Sequence, residues 1–104
     1  MALLGALLRA LPGVLSLPPR NLVRSGVDVA PAKRGPDYID PAFHTLAADR
    51  PSLNFDPWAM DDLLLKSLVS SRSGSLVAEA MMGLFDGAAD GTGSAADFAT
   101  AHNL

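Results

Sequence analysis

The chain has 104 residues, enough for one small domain, and 49% of them are hydrophobic, but only 6% are aromatic. Leu and Ala supply most of the hydrophobic count, and because alanine buries little apolar surface, the composition argues against a self-sufficient core. No cysteine is present, which excludes disulfides, thiolate metal sites and cysteine nucleophiles.

The charges are unevenly distributed along the chain. Residues 1–36 carry five basic side chains and one acidic one, whereas residues 37–104 carry three basic and ten acidic side chains. The formal net charge of −3 hides this difference. The distribution predicts a basic N-terminal arm joined to an acidic body.

Residues 1–16 are predicted to form an apolar anchor helix, with Leu4 and Leu8 as contacts to another protein. The helical part of this anchor, Met1 to Leu11, ends before Pro12. Its length is only about 16 Å, roughly half the thickness of the hydrocarbon core of a bilayer. Contact with a membrane surface is a less favoured alternative, because such helices usually carry several cationic residues and this one has only Arg9. Docking into a protein groove is therefore the preferred interpretation.

Residues 17–56 are predicted to be an extended, basic, Pro-rich arm. Prolines at 18, 19, 31 and 36 argue against a helix of ordinary length before Pro36, and one short helix is expected from Pro41 to Ala48. The expected partners of the arm are other protein subunits, with non-specific nucleic-acid contact as an alternative. Residues 1–27 contain no acidic residue, which also fits a mitochondrial targeting segment.

Residues 57–86 are predicted to form a helical hairpin. The first helix would run from Pro57 to about Ser71, and a second apolar stripe would begin after Ser75. The fold class expected from these elements is mainly α with long irregular segments and no sheet. The side chains expected at an interface with other subunits are Trp58, Leu64, Leu68, Met81, Leu84 and Phe85.

Residues 87–104 are predicted to be a flexible Gly/Ala/Asp tail with one short helix, for which Ser94 and Asp97 form a capping box. Asp86, Asp90, Ser94 and Asp97 also occupy ligand positions 1, 5, 9 and 12 of a loop that resembles the calcium loops of EF-hands and dockerins. Ala88 at position 3 offers no side-chain ligand. The resemblance implies a small calcium-binding module as one alternative function, and no other metal site is expected.

The sequence contains no motif typical of catalysis. It has two histidines and one glutamate, and no Walker loop, nucleophile elbow or paired-His zinc motif. His44 is expected at the surface or an interface, and His102 in the tail. We therefore predict a non-enzymatic structural subunit of a large assembly without a cofactor, most favourably a component of a virion. The alternative assembly is mitochondrial, with the chain as an imported accessory subunit.

Overall fold

A computed structural model describes residues 6–8, 17–80 and 83–104, with side chains from Arg20 onward. Strands and helices alternate along the chain, as in α/β proteins. The elements are β1 (Ala6–Leu8), α1 (Leu17–Arg24), β2 (Val29–Arg34), α2 (Asp40–Ala48), β3 (Leu53–Phe55), α3 (Asp62–Ser70), β4 (Ser75–Ala80) and α4 (Ala95–His102).

The four strands form one parallel sheet in the order β1-β4-β2-β3. The longest pairing aligns β2 with β4 from Val29 opposite Ser75 to Arg34 opposite Ala80. Every residue of β2 is buried, as expected for a parallel strand covered on both faces. The prediction of a mainly α fold without a sheet is therefore wrong.

The two faces of the sheet pack against different helices. On one face, here called the α2 face, Val29 and Val77 pack with Ala48 and with residues of α1. On the other, the α4 face, the strand side chains pack against α3 and α4. That larger core contains Ala30, Ala32, Phe55, Leu65, Val69, Leu76, Ala78 and Phe98. The rings of Phe55 and Phe98 stack there at 5.6 Å.

The predicted helical hairpin is wrong because its second half begins with β4, not with a helix. Leu76, Val77 and Ala78 form an apolar run that suits a helix stripe or a strand buried on both faces. The sheet buries all three residues, since alternate side chains face α2 and α4. The run was too short for its periodicity to distinguish the two structures.

The N-terminal half also differs from the prediction. Leu4 lies outside the described residues, and residues 6–8 of the expected anchor helix form a strand. Within the expected arm, Leu17–Arg24 is helical. Pro18 and Pro19 fall in its first turn, where the missing N–H groups cost no intrahelical hydrogen bond. In β2, Pro31 lies just before the residues that pair with β3, which start at Ala32.

Three helix predictions fare better. The short helix in the arm is confirmed as α2, with Pro41 in its first turn. The next helix begins at Asp62 and not at Pro57, because Asp61 is its N-cap and accepts a hydrogen bond from Leu64 N at 2.8 Å. The Ser94 capping box of α4 is confirmed. Within the described ranges, no helix has both the length and the apolarity needed to cross a membrane.

Candidate functional site

Charged side chains meet at the carboxyl ends of β2 and β4. Lys33 lies directly opposite Glu79 in the parallel register, and both side chains project from the α2 face. They are only 3% and 7% exposed. The carboxyl edge of a parallel sheet is the usual ligand-binding edge of α/β proteins. Together with Asp37, Asp40 and His44, these residues form what we call the charged cluster.

The ammonium group of Lys33 is the centre of the charged cluster. Its Nζ lies 2.8 Å from Asp40 Oδ2, 3.1 Å from Glu79 Oε1 and 3.2 Å from Asp37 Oδ2. An ammonium group has three N–H donors, so these contacts can use all of them. Burial alone would lower the pKa of Lys33, but the hydrogen bonds to Asp40 and Glu79 and the nearby carboxylate charges outweigh it, and the pKa is raised. Lys33 is therefore a cation at neutral pH.

The loop after β2 places Asp37 against Lys33. Gly35 has φ 121°, a conformation that side chains disfavour, and its N–H donates to Phe55 O at 2.9 Å. The side-chain amide of Asn54 donates to the carbonyls of Gly35 and Asp37. Asp37 Oδ1 in turn accepts from Ile39 N at 2.9 Å. Burial acts to raise the pKa of Asp37, but this hydrogen bond and the contact with Lys33 lower it overall.

His44 completes the charged cluster from α2. Its Nε2 lies 2.8 Å from Glu79 Oε2, and its side chain is almost fully buried. Within the described part of the chain, His44 Nδ1 has no hydrogen-bond partner and Glu79 Oε2 has none of good geometry. A carboxylate beside one imidazole nitrogen favours the tautomer in which the other nitrogen carries a lone pair. His44 Nδ1 is thus a buried ring nitrogen without a hydrogen-bond partner among the described residues.

The charged cluster has an excess of acidic groups. One ammonium faces three carboxylates, so the formal charge of these four side chains is −2. This charge favours the binding of a cationic group. Among the residues that the structure describes, no three His, Asp or Glu side chains are arranged to hold a metal ion. The geometry therefore places an excess of carboxylates around one ammonium group, beside a buried imidazole.

Sequence reasoning missed this cluster. The expectation of His44 at the surface or an interface is wrong, and Lys33, which the prediction places on the extended basic arm, is buried in the sheet. A signal was present, because two short apolar runs are each followed by a charged residue, Lys33 after Val29–Ala32 and Glu79 after Leu76–Ala78. In a parallel sheet such residues meet at one edge.

The predicted interface residues lie on separate elements. Trp58 and Leu64 are partly exposed, on the turn after β3 and on α3. Leu84 is also partly exposed, and Phe85 is 80% exposed. Leu68 packs against the core of the α4 face, Leu8 belongs to β1, and Leu4 and Met81 lie outside the described residues. Their role in an interface stays a prediction.

The candidate calcium ligands are used in local hydrogen bonds. Asp86 Oδ2 accepts from Gly83 N at 2.7 Å, and Asp90 Oδ1 accepts from Thr92 N at 3.0 Å. Ser94 and Asp97 form the two reciprocal bonds of the capping box, each 3.0 Å long. These bonds account for all four residues as turn and cap formers.

Three curated proteins that are similar to this chain have the same name. The chain is 58% identical over 88 residues to the hydrogenobyrinate a,c-diamide synthase of Rhizobium meliloti (strain 1021), covering 82% of this chain and 20% of that protein. It is 56% identical over 84 residues to the synthase of Brucella abortus biovar 1, covering 77% of this chain and 19% of that protein. It is 49% identical over 86 residues to the synthase of Rhodobacter capsulatus, covering 77% of this chain and 20% of that protein. The chain thus spans about a fifth of the length of the curated relatives it matches. No family model and no solved structure matches.

These relatives overturn the functional prediction from the sequence. They are named as synthases, and none of these three is a virion component, a mitochondrial accessory subunit or a calcium-binding module by name. The predictions of a non-enzymatic, capsid-associated structural protein are therefore wrong. The predicted fold without a sheet gave the residues of the charged cluster no common location, so it offered no reason to expect an enzyme.

Proposed function

We propose that this chain is part of an enzyme that converts two carboxylates of hydrogenobyrinate into amides, and that the charged cluster is a functional site of that enzyme. The observation that carries the proposal is the contact of buried Lys33, His44 and Glu79 with the partly exposed Asp40 at the carboxyl edge of a parallel sheet. Its support from comparison is the identity of 58% over 88 residues to a synthase of that name. The chain corresponds to about a fifth of that relative, so we propose that it acts together with further protein.

The chemistry of amide formation fits the groups in the cluster. Ammonia is largely present in water as the ammonium ion, which must lose one proton before its nitrogen can attack an activated carboxyl carbon. The activating group then leaves with the electrons of its bond to that carbon, and the nitrogen releases a second proton to give the amide. The negative excess of the cluster would favour the ammonium form on entry. His44, whose Nε2 lies beside Glu79, would then accept one proton at Nδ1. Lys33 is a positioning residue in this scheme, because it fixes the carboxylates of Asp37, Asp40 and Glu79.

A chimera tests the proposal directly. Residues 20–104 would replace the corresponding region of the Rhizobium meliloti synthase, and formation of the a,c-diamide from hydrogenobyrinate would be followed by mass spectrometry. We expect the chimera to be active and His44→Asn to lower its rate by about 10²-fold or more, as for removal of a general base. His102→Asn is the matched control, since His102 lies on α4 away from the charged cluster, and it should retain the rate.

Two outcomes would contradict different parts of the proposal. A folded chimera without activity would remove the synthase assignment for this chain. Equal rates for His44→Asn and His102→Asn would leave that assignment and remove the proposed base. Assaying the 104-residue chain by itself in parallel shows whether the segment needs the rest of such an enzyme.

A further inference from the structure

Arg34 carries a buried charge that has no partner in the described part of the chain. It is the last residue of β2, its side chain is 0% exposed, and Nε, Nη1 and Nη2 all lack a hydrogen-bond acceptor among the described residues. A guanidinium group has five N–H donors and keeps its proton in proteins. Leaving such a charge buried and unpaired costs several kcal/mol. The environment of Arg34 is therefore incomplete.

Trp58 covers the guanidinium group. The Cζ atom of Arg34 lies 4.6 Å from the centre of the Trp58 ring, within cation–π distance. Trp58 follows β3 in a turn and is 42% exposed, whereas Arg34 beside its ring is 0% exposed. Gly93 packs closely here, because a Cβ atom on it would lie 3.3 Å from Trp58 Nε1 and 3.9 Å from Arg34 Nη2. A side chain at 93 would thus crowd the Nε1 edge of the Trp58 ring.

The nearest carboxylates do not neutralise Arg34. Asp56 and Asp97 are close enough to raise its pKa, yet burial has the larger effect and lowers it. Asp56 Oδ1 accepts from the backbone N–H of Trp58 at 2.9 Å, and Asp97 Oδ2 accepts from Ser94 N at 3.0 Å. Among the described residues, neither carboxylate forms an ion pair with Arg34. Both are held by the turns they cap, so neither moves to the guanidinium group without breaking a cap.

We propose that Arg34 is an oxyanion-binding residue, covered by Trp58 when unoccupied, that binds a carboxylate or phosphate group in bidentate fashion. The planar guanidinium group matches both oxyanions. Its position at the carboxyl edge of a parallel sheet is one where ligands bind. This site is distinct from the charged cluster, because Lys33 and Arg34 are consecutive in β2 and project from opposite faces of the sheet. The proposal does not depend on the amide-forming function proposed above.

The chain contains its own reporter for this site. Trp58 is the only tryptophan, so the intrinsic fluorescence of the 104-residue chain reports on the cover of Arg34. The chain would be titrated separately with sodium phosphate and with tricarballylate, a tricarboxylate, against sodium chloride at matched ionic strength. We expect a saturable change in Trp58 emission and an increase in Tm with at least one oxyanion, and neither change with chloride.

Variants identify the residue responsible. Arg34→Met should lose both responses, Arg34→Lys should bind several-fold more weakly because it lacks the planar fork, and Arg24→Gln, which removes an exposed cation on α1, should respond like wild type. Without added oxyanion, Arg34→Met should melt no lower than wild type, since it removes an unpaired buried charge. That melting point separates a binding role from a purely structural one.

Each result decides for or against the proposal. A response to phosphate alone, to tricarballylate alone or to both supports it and identifies the group that is bound. The proposal is overturned by the absence of any oxyanion response in the wild-type chain, by the same response in Arg34→Met, or by the same response to chloride. A lower Tm for both Arg34→Met and Arg34→Lys, with unchanged affinity in the latter, would also overturn it, because Arg34 would then be a structural cation.

Discussion

Lys33 and Arg34 are neighbours in β2 and are buried to a similar depth, but their surroundings differ completely. Alternation along the strand directs Lys33 to the α2 face, where it contacts three carboxylates. Arg34 is directed to the α4 face, whose core consists of Ala, Leu, Val and Phe side chains. The α2 face therefore contains a cation with three carboxylate partners, whereas the α4 face contains a cation that has no counter-ion among the described residues. Burial alone does not reveal the role of a charged residue, because its neighbours decide the cost.

The difference between the surroundings of Lys33 and Arg34 can be tested most directly by removing each cation in turn. Lys33→Met leaves the buried carboxylate of Glu79 and the partly exposed carboxylates of Asp37 and Asp40 without their cation, and should lower the free energy of unfolding by about 3 kcal/mol. Arg34→Met removes a charge without stranding a partner and should leave that free energy unchanged or raise it. Urea unfolding of the two variants beside the wild type measures both. Similar losses in the two variants would show that Arg34 is paired as well as Lys33 is.

The apolar character of the α4 face can be tested at Phe98. This side chain is buried against Phe55, and Phe98→Ala should cost about 3 kcal/mol through lost burial and the cavity left behind. Phe85→Ala is the matched control, because Phe85 is mostly exposed and its loss should stay within about 0.5 kcal/mol. Comparable losses at the two positions in urea unfolding would contradict the placement of the core.

The starts of helices can be predicted from this sequence better than the sheet can. Pro41 at the start of α2 and the Ser94 capping box depend on residues within one turn, and both are found. The strands were missed because Pro31 suggested a linker and because a run buried on both faces has no period of two. Lys33 and Glu79 lie far apart in the chain, so only the register of β2 with β4 brings them together. Without the sheet, neither the charged cluster nor the isolation of Arg34 could be predicted.

A smaller effect is expected at the N-cap of α4, which is Ser94. Ser94→Ala removes the hydroxyl that accepts from Asp97 N and should lower the free energy of unfolding by about 1 kcal/mol. Ser70→Ala, on the exposed end of α3, should change it by less than about 0.5 kcal/mol. If Ser94→Ala were as mild as Ser70→Ala in urea unfolding, α4 would not depend on its capping box.

The smallest effect expected concerns His102, whose ring lies 4.5 Å from that of Phe98 on the α4 face. Burial lowers the pKa of His102, and the charge of Lys66 lowers it further, against the opposite effect of Asp62. Between this lowered pKa and the unfolded value of about 6.5, the unfolded chain binds more protons than the folded chain. Stability should therefore be fully present above about pH 6.5 and decrease as pH falls through this window.

The variant His102→Gln isolates this contribution. Urea unfolding of the wild type and of His102→Gln, measured from pH 7.5 to pH 5, gives a difference in which shared groups such as His44 largely cancel. The carboxylates with lowered pKa, Asp37, Asp90 and Asp97, lose their contributions only below about pH 4, outside this range. We expect the wild type to lose stability relative to His102→Gln as the pH falls. A relative gain would mean that the folded chain favours the charged imidazole, and the α4 face would then be less apolar around α4 than its packing indicates.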